Sequence, residues 1–345
     1  MAKIDIFSLG QAGLREFVAS LGMKPFRADQ IIRWVYVSGK DSFSEMTDIS
    51  KEGRALLEER AEIKYLDILD RRISADGTEK YLFGLPDGEK IESVLIPDEN
   101  RVTLCISSQA GCALGCSFCL TGGGGFRRNL LPHEIVGQPL AVQRLHPERP
   151  ITNFVLMGMG EPLNNTANVI EALRRMTADK MLGVSTRKIT LSTAGVVPGL
   201  RELAESGVGV NLAVSLNAPN DKVRDELMPI NRVYPLSELV RALKAFPLAP
   251  RRKITVEYVM LKGVNDSVRD AEEVAKLLRG IKCKVNLIPF NEHPGSKYKR
   301  PDTRAVIAFQ GALGLRNYTT FIRESRGSDI LAACGQLRAD GRKKA

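Results

Sequence analysis

Apolar residues in the first 60 positions recur at intervals of three and four, which predicts amphipathic helices over three stretches, 13–21, 26–37 and 49–60. From position 62 the period changes. Apolar residues then cluster in three short runs that Asp-Gly pairs separate, 63–69, 79–85 and 90–96. Short runs bounded by such turns are typical of β-hairpins. The pattern therefore predicts a helical segment over 1–61 and a β-meander over 62–97.

Beyond residue 98, short β-rich runs alternate with segments of helical length and spacing. The predicted strands are 102–107, 151–156, 188–192, 208–216, 253–261, 284–289 and 318–323. Strands that alternate with helices in this way predict right-handed βαβ units and a parallel sheet. Six or seven units predict an α/β barrel or an open, curved partial barrel over 98–345. In such folds the chemistry lies at the carboxyl ends of the strands.

Composition narrows the class of protein. Hydrophobic residues make up 43% of the chain and charged residues 26%, which is ordinary globular usage and excludes disordered or collagen-like chains. No secretory signal opens the chain, and no apolar run approaches the roughly 18 residues of a membrane span. We therefore expect a cytoplasmic protein. The formal net charge of +10 fits a polyanionic partner such as a nucleic acid, and it fits a basic solvated surface equally well.

Three of the six cysteines fall within the run SSQAGCALGCSFCLTG, where Cys112, Cys116 and Cys119 have the spacing C-x3-C-x2-C. Thiolates are soft ligands for zinc or for iron-sulfur clusters. A structural zinc site needs a fourth Cys or His nearby, and the closest histidine, His133, lies beyond a glycine run on a predicted helix. Three thiolates on an iron-sulfur cluster would leave one iron open to a substrate or cofactor. The glycine run, 121–125, predicts a flexible loop over the site.

Further motifs follow the cysteine loop in a fixed order. With LCISSQAGCALGCSFC (104–119) they are FVLMGMGEPLNN (154–165), ITLSTAG (189–195), LAVSLNAP (212–219), LMPINRVYP (227–235), LKGVND (261–266), NLIPFN (286–291) and ESRGSDILAACGQL (324–337). In the cysteine spacing the chain resembles the radical S-adenosylmethionine superfamily. Over nearly its whole length it resembles the bacterial radical-SAM RNA adenine C2-methyltransferases, the RlmN group, which have the Cfr C8-methyltransferases as close relatives. The resemblance implies a partial (βα)6 barrel with a helical RNA-binding accessory domain over 1–61, a meander extension over 62–97 and a C-terminal catalytic-cysteine segment.

The resemblance also implies cofactor sites. Cys112, Cys116 and Cys119 would bind a 4Fe-4S cluster whose open iron holds S-adenosylmethionine. Gly160 and Glu161 match the turn that receives the amino group of this cofactor. The other matching contacts are Ser192, Ser215, Leu216, Asn217 and Asn291. Asn217 stands where relatives often carry His, and a Ser or Asn just after a strand is by itself typical of a turn.

Three residues outside the cluster match catalytic positions, namely Cys334, Cys105 and Glu92. Carbon 2 of adenine is too electron-poor to displace a methyl group from a sulfonium, whereas a thiolate can do so. The implied mechanism uses two S-adenosylmethionine molecules per turnover. Cys334 takes a methyl from the first, and a 5'-deoxyadenosyl radical from the second removes a hydrogen from that S-methyl group. The carbon radical adds to the ring, Glu92 removes the ring proton, and Cys105 forms a disulfide with Cys334 that releases the product. Free cysteines also pack as small hydrophobes, the interpretation preferred for Cys283.

An adenine must leave its stack to reach a barrel mouth, which favours an unpaired or extruded adenosine in folded RNA. By resemblance the partners are 23S rRNA at the peptidyl-transferase centre, the tRNA adenosine 3' of the anticodon, and an external flavodoxin-type reductant; the protein would be a monomer with no membrane partner. Candidate phosphate contacts are 127–128, 251–253, 297–300, 323–326 and the basic residues beside Phe26 and Trp34. Three alternatives stay open: a C8-methylating Cfr-type enzyme, a radical-SAM enzyme for a small molecule or peptide, and a non-catalytic RNA-binding protein with a closed metal site.

Overall fold

Helices form the N-terminal part of the chain, as the apolar spacing predicts. The computed structural model describes residues 3–339, so the extremes of the predicted segments, residues 1–2 and 340–345, lie outside the described range. The helices are α1 Gln11–Ser20, α2 Arg27–Ile32, which a π-helical turn extends over Arg33–Val37, and α3 Lys51–Arg60. A parallel pair of two-residue strands, β1 Ile4–Asp5 and β2 Ala61–Glu62, joins the two ends of this segment. Strands this short have no periodicity, so the hydrophobic pattern does not reveal them.

The meander follows as three antiparallel strands, β3 Asp67–Ile73, β4 Glu79–Gly84 and β5 Lys90–Asp98. Both predicted Asp-Gly turns are confirmed, because Gly77 has φ +80° and Gly88 has φ +87°, a left-handed backbone that favours glycine. The prediction of a strand over 63–69 is wrong in its bounds. Tyr65 packs its ring against Phe7 instead, and β3 begins later, at Asp67.

The remaining strands are β6 Arg101–Cys105, β7 Gln109–Gly111, β8 Phe126–Asn129, β9 Asn153–Leu156, β10 Ile189–Thr193, β11 Asn211–Ser215, β12 Ile254–Met260, β13 Cys283–Pro289 and β14 Thr320–Ile322. One ten-stranded sheet has the order β14-β13-β12-β11-β10-β9-β6-β5-β4-β3, and β7 and β8 form a separate hairpin. Seven strands of the large sheet run parallel, namely β6 and β9 to β14. Strand β5 pairs antiparallel with β6. Within residues 3–339 the edge strands β3 and β14 do not pair with each other, so the barrel is open.

Helices connect the parallel strands. They are α4 Leu120–Gly123, α5 Pro132–Leu145, α6 Thr166–Thr177, α7 Val197–Glu205, α8 Asp221–Leu227, α9 Leu236–Ala245, α10 Val268–Leu277 and α11 Thr303–Gly314. The α/β prediction and the partial (βα)6 barrel are confirmed. The glycine run is not a simple loop, because it forms α4 and then enters β8. Within the described part of the chain, no helix is both long and apolar enough to cross a membrane.

Strand register places the polar residues of the barrel on one face. Ser215 of β11 pairs with Glu257 of β12, and Glu257 pairs with Asn286 of β13. Partners in register project to the same face of a sheet. Because Glu257 and Asn286 line the barrel cavity, Ser215 lies on the cavity side as well. The register therefore brings residues that are far apart in sequence together on the inner face of the barrel.

Candidate active site

A cavity of about 520 Å³ lies inside the open barrel. The inner faces of β6 and β9 to β13 form one wall, and residues 323–338, which follow β14, form the other. We call residues 323–338 the C-terminal segment. Cys105 of β6 and Cys334 of the C-terminal segment both line this cavity, together with Asn291 after β13. Three residues matched to the reaction thus face one open cavity, whereas its lining does not include the three loop cysteines, Glu161 or Glu92.

The cysteine loop lies between β7 and α4, and its three thiols are half-buried. The thiols of Cys112 and Cys119 lie within electrostatic range of Cys116, and burial raises the pKa of Cys112 to about 11. Such thiols become thiolates only when a positive centre compensates them, which a metal cluster does. Within residues 3–339, no group of three or more His, Cys, Asp or Glu side chains is arranged to hold a single metal ion. A cluster whose thiolates each bind a different iron needs no such convergence, so the donor set fits a 4Fe-4S cluster.

A close backbone approach holds the start of this loop. Gly111 has φ +74°, and a Cβ at this position would lie 2.0 Å from the carbonyl oxygen of Gly125. The amide of Cys112 donates to the same oxygen at 2.9 Å. Only glycine permits this contact, which fixes Cys112 against the end of the glycine run.

Glu161 is buried beside the cysteine loop, and its carboxylate is held by backbone amides. Oε1 accepts from the amide of Leu163 at 3.0 Å, and Oε2 accepts from the amide of Ala194 at 2.7 Å. Burial raises the pKa of Glu161 and the hydrogen bonds oppose that rise. Gly160 has φ +99°, and a Cβ there would lie 2.5 Å from the Cβ of Gln109. The hydrogen bonds of Glu161 and the close approach of Gly160 to Gln109 thus fix the shape of the turn at 158–161.

Arg224 is a residue that sequence reasoning missed. Its guanidinium is fully buried and donates to the carbonyl oxygens of Ala194 at 2.6 Å, Leu216 at 3.1 Å and Ser215 at 3.2 Å. It also lies within electrostatic range of Cys116, and burial lowers its pKa to about 10. Arg224 thus joins the ends of β10 and β11 and places a positive charge near the cysteine loop. An arginine inside a polar helix, with no matching motif, gave no signal in the sequence.

The predicted cofactor contacts on β10, on β11 and directly after β11 differ in their exposure and in the hydrogen bonds that they make within the protein. Ser192 and Ser215 are partly exposed at strand ends. Leu216 is buried, and its amide donates to the carbonyl of Glu257 at 2.9 Å. Asn217 has φ +57° and a buried side chain whose Oδ1 accepts from the amide of Val259 at 2.8 Å. In this structure the Asn217 side chain holds the β11–β12 connection, a role consistent with the tolerance of Asn for left-handed backbone.

Asn291 contacts the C-terminal segment directly. Its Nδ2 donates to the carbonyl oxygen of Cys334 at 3.2 Å, and the hydroxyl of Ser325 contacts its Oδ1. The amide of Leu120 donates to Gly335 O at 2.8 Å. Cys334 is therefore held between the end of β13 and the helix that follows the cysteine loop.

Cys105 and Cys334 are both free thiols, as are all six cysteines of the chain. Burial raises the pKa of each, and each thiol lies within electrostatic range of Arg323. Cys334 is nevertheless accessible, because its exposed surface faces the cavity. The structure gives no support for a standing disulfide between Cys105 and Cys334.

Glu92 is buried, which differs from the exposed carboxylate typical of an outer strand. Its Oε1 lies 3.1 Å from the Nζ of Lys80, and its Oε2 accepts from the amide of Arg338 at 2.8 Å. Lys80 also donates to the carbonyl oxygen of Leu331 at 3.1 Å. The sequence gave no reason to single out Lys80, since an isolated lysine on a strand is typical of an exposed position.

Some basic side chains of the predicted phosphate contacts, 127–128 and 297–300, form ion pairs within the protein. Arg128 forms ion pairs with Asp87 and Glu134, and Lys299 pairs with Glu292. The cavity lining is richer in cations than in acids, and its basic members are Arg101, Arg187, Lys188, Lys284, Arg323 and Arg326. Arg101, Arg187, Lys188 and Lys284 lie at the amino ends of their strands. Only Arg323 and Arg326 follow the carboxyl end of a strand, where a cation attracts the phosphates of a nucleic acid bound near the site.

The comparisons with known proteins agree with this geometry. Residues 4–63 match the family model described as the ribosomal RNA large subunit methyltransferase N-terminal domain, and residues 106–278 match that of the radical SAM superfamily. The chain is 53% identical to the dual-specificity RNA methyltransferase RlmN of Desulfosudis oleivorans over 98% of this chain and 92% of that protein. It is 53% identical to the protein of the same name from Geotalea uraniireducens, with 98% and 97% covered.

A solved structure extends the likeness to three dimensions. The radical SAM methyltransferase from Sphaerobacter thermophilus superposes with a TM-score of 0.93 and 42% identity, over 98% of this chain and all of that one. Identity of this degree over nearly the full length of both partners covers the N-terminal helices, the barrel and the C-terminal segment together. The chain therefore belongs to the RlmN family of the radical SAM superfamily.

Proposed function

We propose that this protein is a radical-SAM RNA methyltransferase that methylates carbon 2 of an adenosine in 23S rRNA and of the adenosine 3' of the anticodon in tRNA. One observation carries the proposal: Cys105 and Cys334 line a single cavity, and the C-terminal segment that bears Cys334 packs on the helix after the cluster cysteines. A methyl-accepting thiol must meet both a cofactor and a base, and this arrangement allows both. Family membership supports the RNA substrates, since the relatives are named as dual-specificity RNA methyltransferases.

The chain's own residues have distinct roles in this proposal. Cys112, Cys116 and Cys119 hold a 4Fe-4S cluster, and Gly160, Glu161, Ser192, Ser215, Leu216, Asn217 and Asn291 surround S-adenosylmethionine. When bound, cluster and cofactor supply reductive radical chemistry and the methyl group, with two cofactor molecules used per turnover. Cys334 accepts the methyl group on its sulfur. Glu92 removes the proton from the substituted ring carbon, and Cys105 attacks the Cys334 sulfur to release the product.

The proposed chemistry also requires an electron donor. Reductive cleavage consumes an electron, so the proposal includes an external flavodoxin-type donor. It also includes a monomeric state and action in the cytoplasm, where both RNAs are found. The helical segment 1–61 is the accessory RNA-binding domain, 62–97 the meander extension, and 98–345 the catalytic barrel. In that first segment Phe26 is half-exposed with Arg27 over its ring at 4.8 Å, a pair suited to stacking on a base.

The alternatives are less favoured. The relatives carry the RlmN name, which does not favour the C8-methylating enzyme. A small-molecule or peptide substrate is not favoured, because residues 4–63 match the N-terminal domain of ribosomal RNA large subunit methyltransferases. A non-catalytic RNA-binding protein would need a closed four-ligand site, whereas the cluster loop offers three thiols.

The test is a comparison of Cys334→Ala with a matched variant, Cys283→Ala. Cys283 is also a free cysteine but is buried at the start of β13, away from the carboxyl ends of the strands. Both proteins are reconstituted with iron and sulfide without oxygen and assayed on rRNA and tRNA fragments by nucleoside mass spectrometry. We expect about four irons per chain in both, 2-methyladenosine from Cys283→Ala, and none from Cys334→Ala.

Full turnover by Cys334→Ala would overturn the role of the methyl-accepting thiol. A single zinc per chain would overturn the cluster, and 8-methyladenosine as the product would favour the Cfr-type alternative.

A further inference from the structure

Cys334 lies on a stretch with little regular structure that must be held by side chains. Within the C-terminal segment the described regular element is a single 3-10 turn, Ser328–Ile330. Hydrogen bonds with distant parts of the chain hold the rest of the segment. Thr121 Oγ1 donates to Leu337 O at 2.6 Å, and Gln336 Nε2 of the segment donates to Glu292 O at 2.8 Å. Such a stretch stays closed only while these contacts persist.

The contacts of Lys80 and Glu92 differ from these because they are charged and buried. The two side chains are 8% and 7% exposed, and 3.1 Å separates Lys80 Nζ from Glu92 Oε1. Each partner also holds one peptide group of the C-terminal segment: Lys80 binds the carbonyl of Leu331, and Glu92 binds the amide of Arg338. These two peptide groups lie on either side of Cys334. Charge-assisted hydrogen bonds are stronger than neutral ones, so the pair holds the segment at one position before Cys334 and at one position after it.

Backbone strain lies at one of the gripped positions. Leu331 has φ +54° and ψ +45°, the left-handed conformation that a branched, non-glycine residue rarely adopts. A conformation of this kind persists when surrounding contacts impose it. The Lys80 hydrogen bond to the Leu331 carbonyl is such a contact, so its loss favours release of the segment.

We propose that Lys80 is a positioning residue which, with Glu92, clamps the C-terminal segment beside the cavity, and that opening of the clamp lets the segment that bears Cys334 move and frees Glu92 Oε2 at the same time. This rests on the proposed function, in which Glu92 acts as a base. While the clamp is closed, both Glu92 oxygens are occupied, one by Lys80 and one by the Arg338 amide. Movement of the segment around Cys334 removes the Arg338 amide from Glu92 Oε2 and leaves that oxygen open to a ring proton.

The experiment uses the full chain with its cluster reconstituted. Amide hydrogen exchange of residues 331–338 is measured for wild type, Lys80→Met, Lys80→Arg and the control Lys262→Met, whose lysine forms an exposed pair with Asp302. Loss of the charged contacts should raise exchange of this peptide about tenfold or more in Lys80→Met. Lys80→Arg, which keeps the charge and the donors, should restore most of the protection, and Lys262→Met should match wild type.

Two further measurements separate the clamp from a general loss of stability. Alkylation of buried Cys283 reports global unfolding and should not change in Lys80→Met. The double variant Lys80→Met/Glu92→Gln removes the unpaired carboxylate, and it should still show raised exchange because the Leu331 contact is missing. Wild-type exchange in Lys80→Met, or full protection in the double variant, would overturn the clamp.

Failure of the clamp is distinguishable from failure of the proposed function. Hydrogen exchange needs no turnover, so raised exchange supports the clamp even in a chain that methylates nothing. Wild-type exchange together with active RNA methylation in Lys80→Met would refute the clamp and leave the methyltransferase intact. If both proposals hold, Lys80→Met lowers kcat, and Lys80→Arg restores it.

Discussion

Replacing Arg224 by Met removes the buried guanidinium that joins the ends of β10 and β11. The methionine side chain fills much of the same volume but donates no hydrogen bond. Four acceptors then lose the donor that Arg224 provides. Three of these contacts are buried, those to Ala194 O, Leu216 O and Asn231 Oδ1 at 2.6, 3.1 and 3.0 Å, and the fourth, to Ser215 O at 3.2 Å, is partly buried. At roughly 1 kcal/mol for each buried acceptor left without a partner, we expect the free energy of unfolding to fall by about 3 kcal/mol.

The assay is urea unfolding followed by circular dichroism, with Arg201→Met as the matched control. Arg201 is exposed on α7, so its loss should change the free energy of unfolding by less than about 0.5 kcal/mol. Arg224→Lys should fall between the two, because an ammonium group lacks the geometry to reach all three acceptors. Since Arg224 keeps its charge at neutral pH, with a pKa lowered by burial to about 10, these differences should hold from pH 6 to pH 8.

A loss of less than 1 kcal/mol in Arg224→Met would refute the reasoning, because it would mean that water or rearrangement satisfies the three acceptors. An equal loss in Arg201→Met would refute it as well, since the effect would then not depend on burial.

Two other predictions follow from single residues. Gly160→Ala should destabilise the protein and abolish binding of S-adenosylmethionine in equilibrium dialysis, because φ is +99° and the new Cβ would lie 2.5 Å from Gln109 Cβ; wild-type binding would contradict this. In acid, protonation of Asp76 should weaken its hydrogen bond with the amide of Gly327 in the C-terminal segment. Burial opposes its ionisation, but hydrogen bonds from the amide of Gly327 and from Thr78 lower its pKa to about 2. Its stabilisation is therefore present above pH 4 and lost between pH 4 and pH 2, which thermal melts of wild type and Asp76→Asn in that range would check.

Local patterns in the chain were sufficient to predict most of the elements. The alternation of apolar runs after residue 98 predicted the parallel strands and the helices between them, because burial on both sides of a sheet leaves short apolar segments in any sequence that folds this way. The Asp-Gly pairs predicted both meander turns, since glycine adopts a positive φ at little cost. The spacing of Cys112, Cys116 and Cys119 predicted a ligand site, because three thiols so close together have few other uses.

The short elements escaped prediction for the same physical reason. The two-residue strands β1 and β2 pair across more than 50 residues, and the β7–β8 hairpin depends on the approach of Gly111 to Gly125 O. Neither leaves a periodic signal. The glycine run therefore predicted a loop where tertiary contacts form the short helix α4 directly before β8.

The sequence by itself determined the order of strands and helices and the loop of three thiols, because both depend on neighbours a few positions apart. Only the tertiary structure decided which distant groups meet around the C-terminal segment. Glu92 and Arg338 are separated by 246 positions and still share a hydrogen bond, and buried Lys80 lies between strand and segment. Such contacts depend on how the C-terminal segment closes the open side of the barrel, and no pattern within a single element encodes that closure.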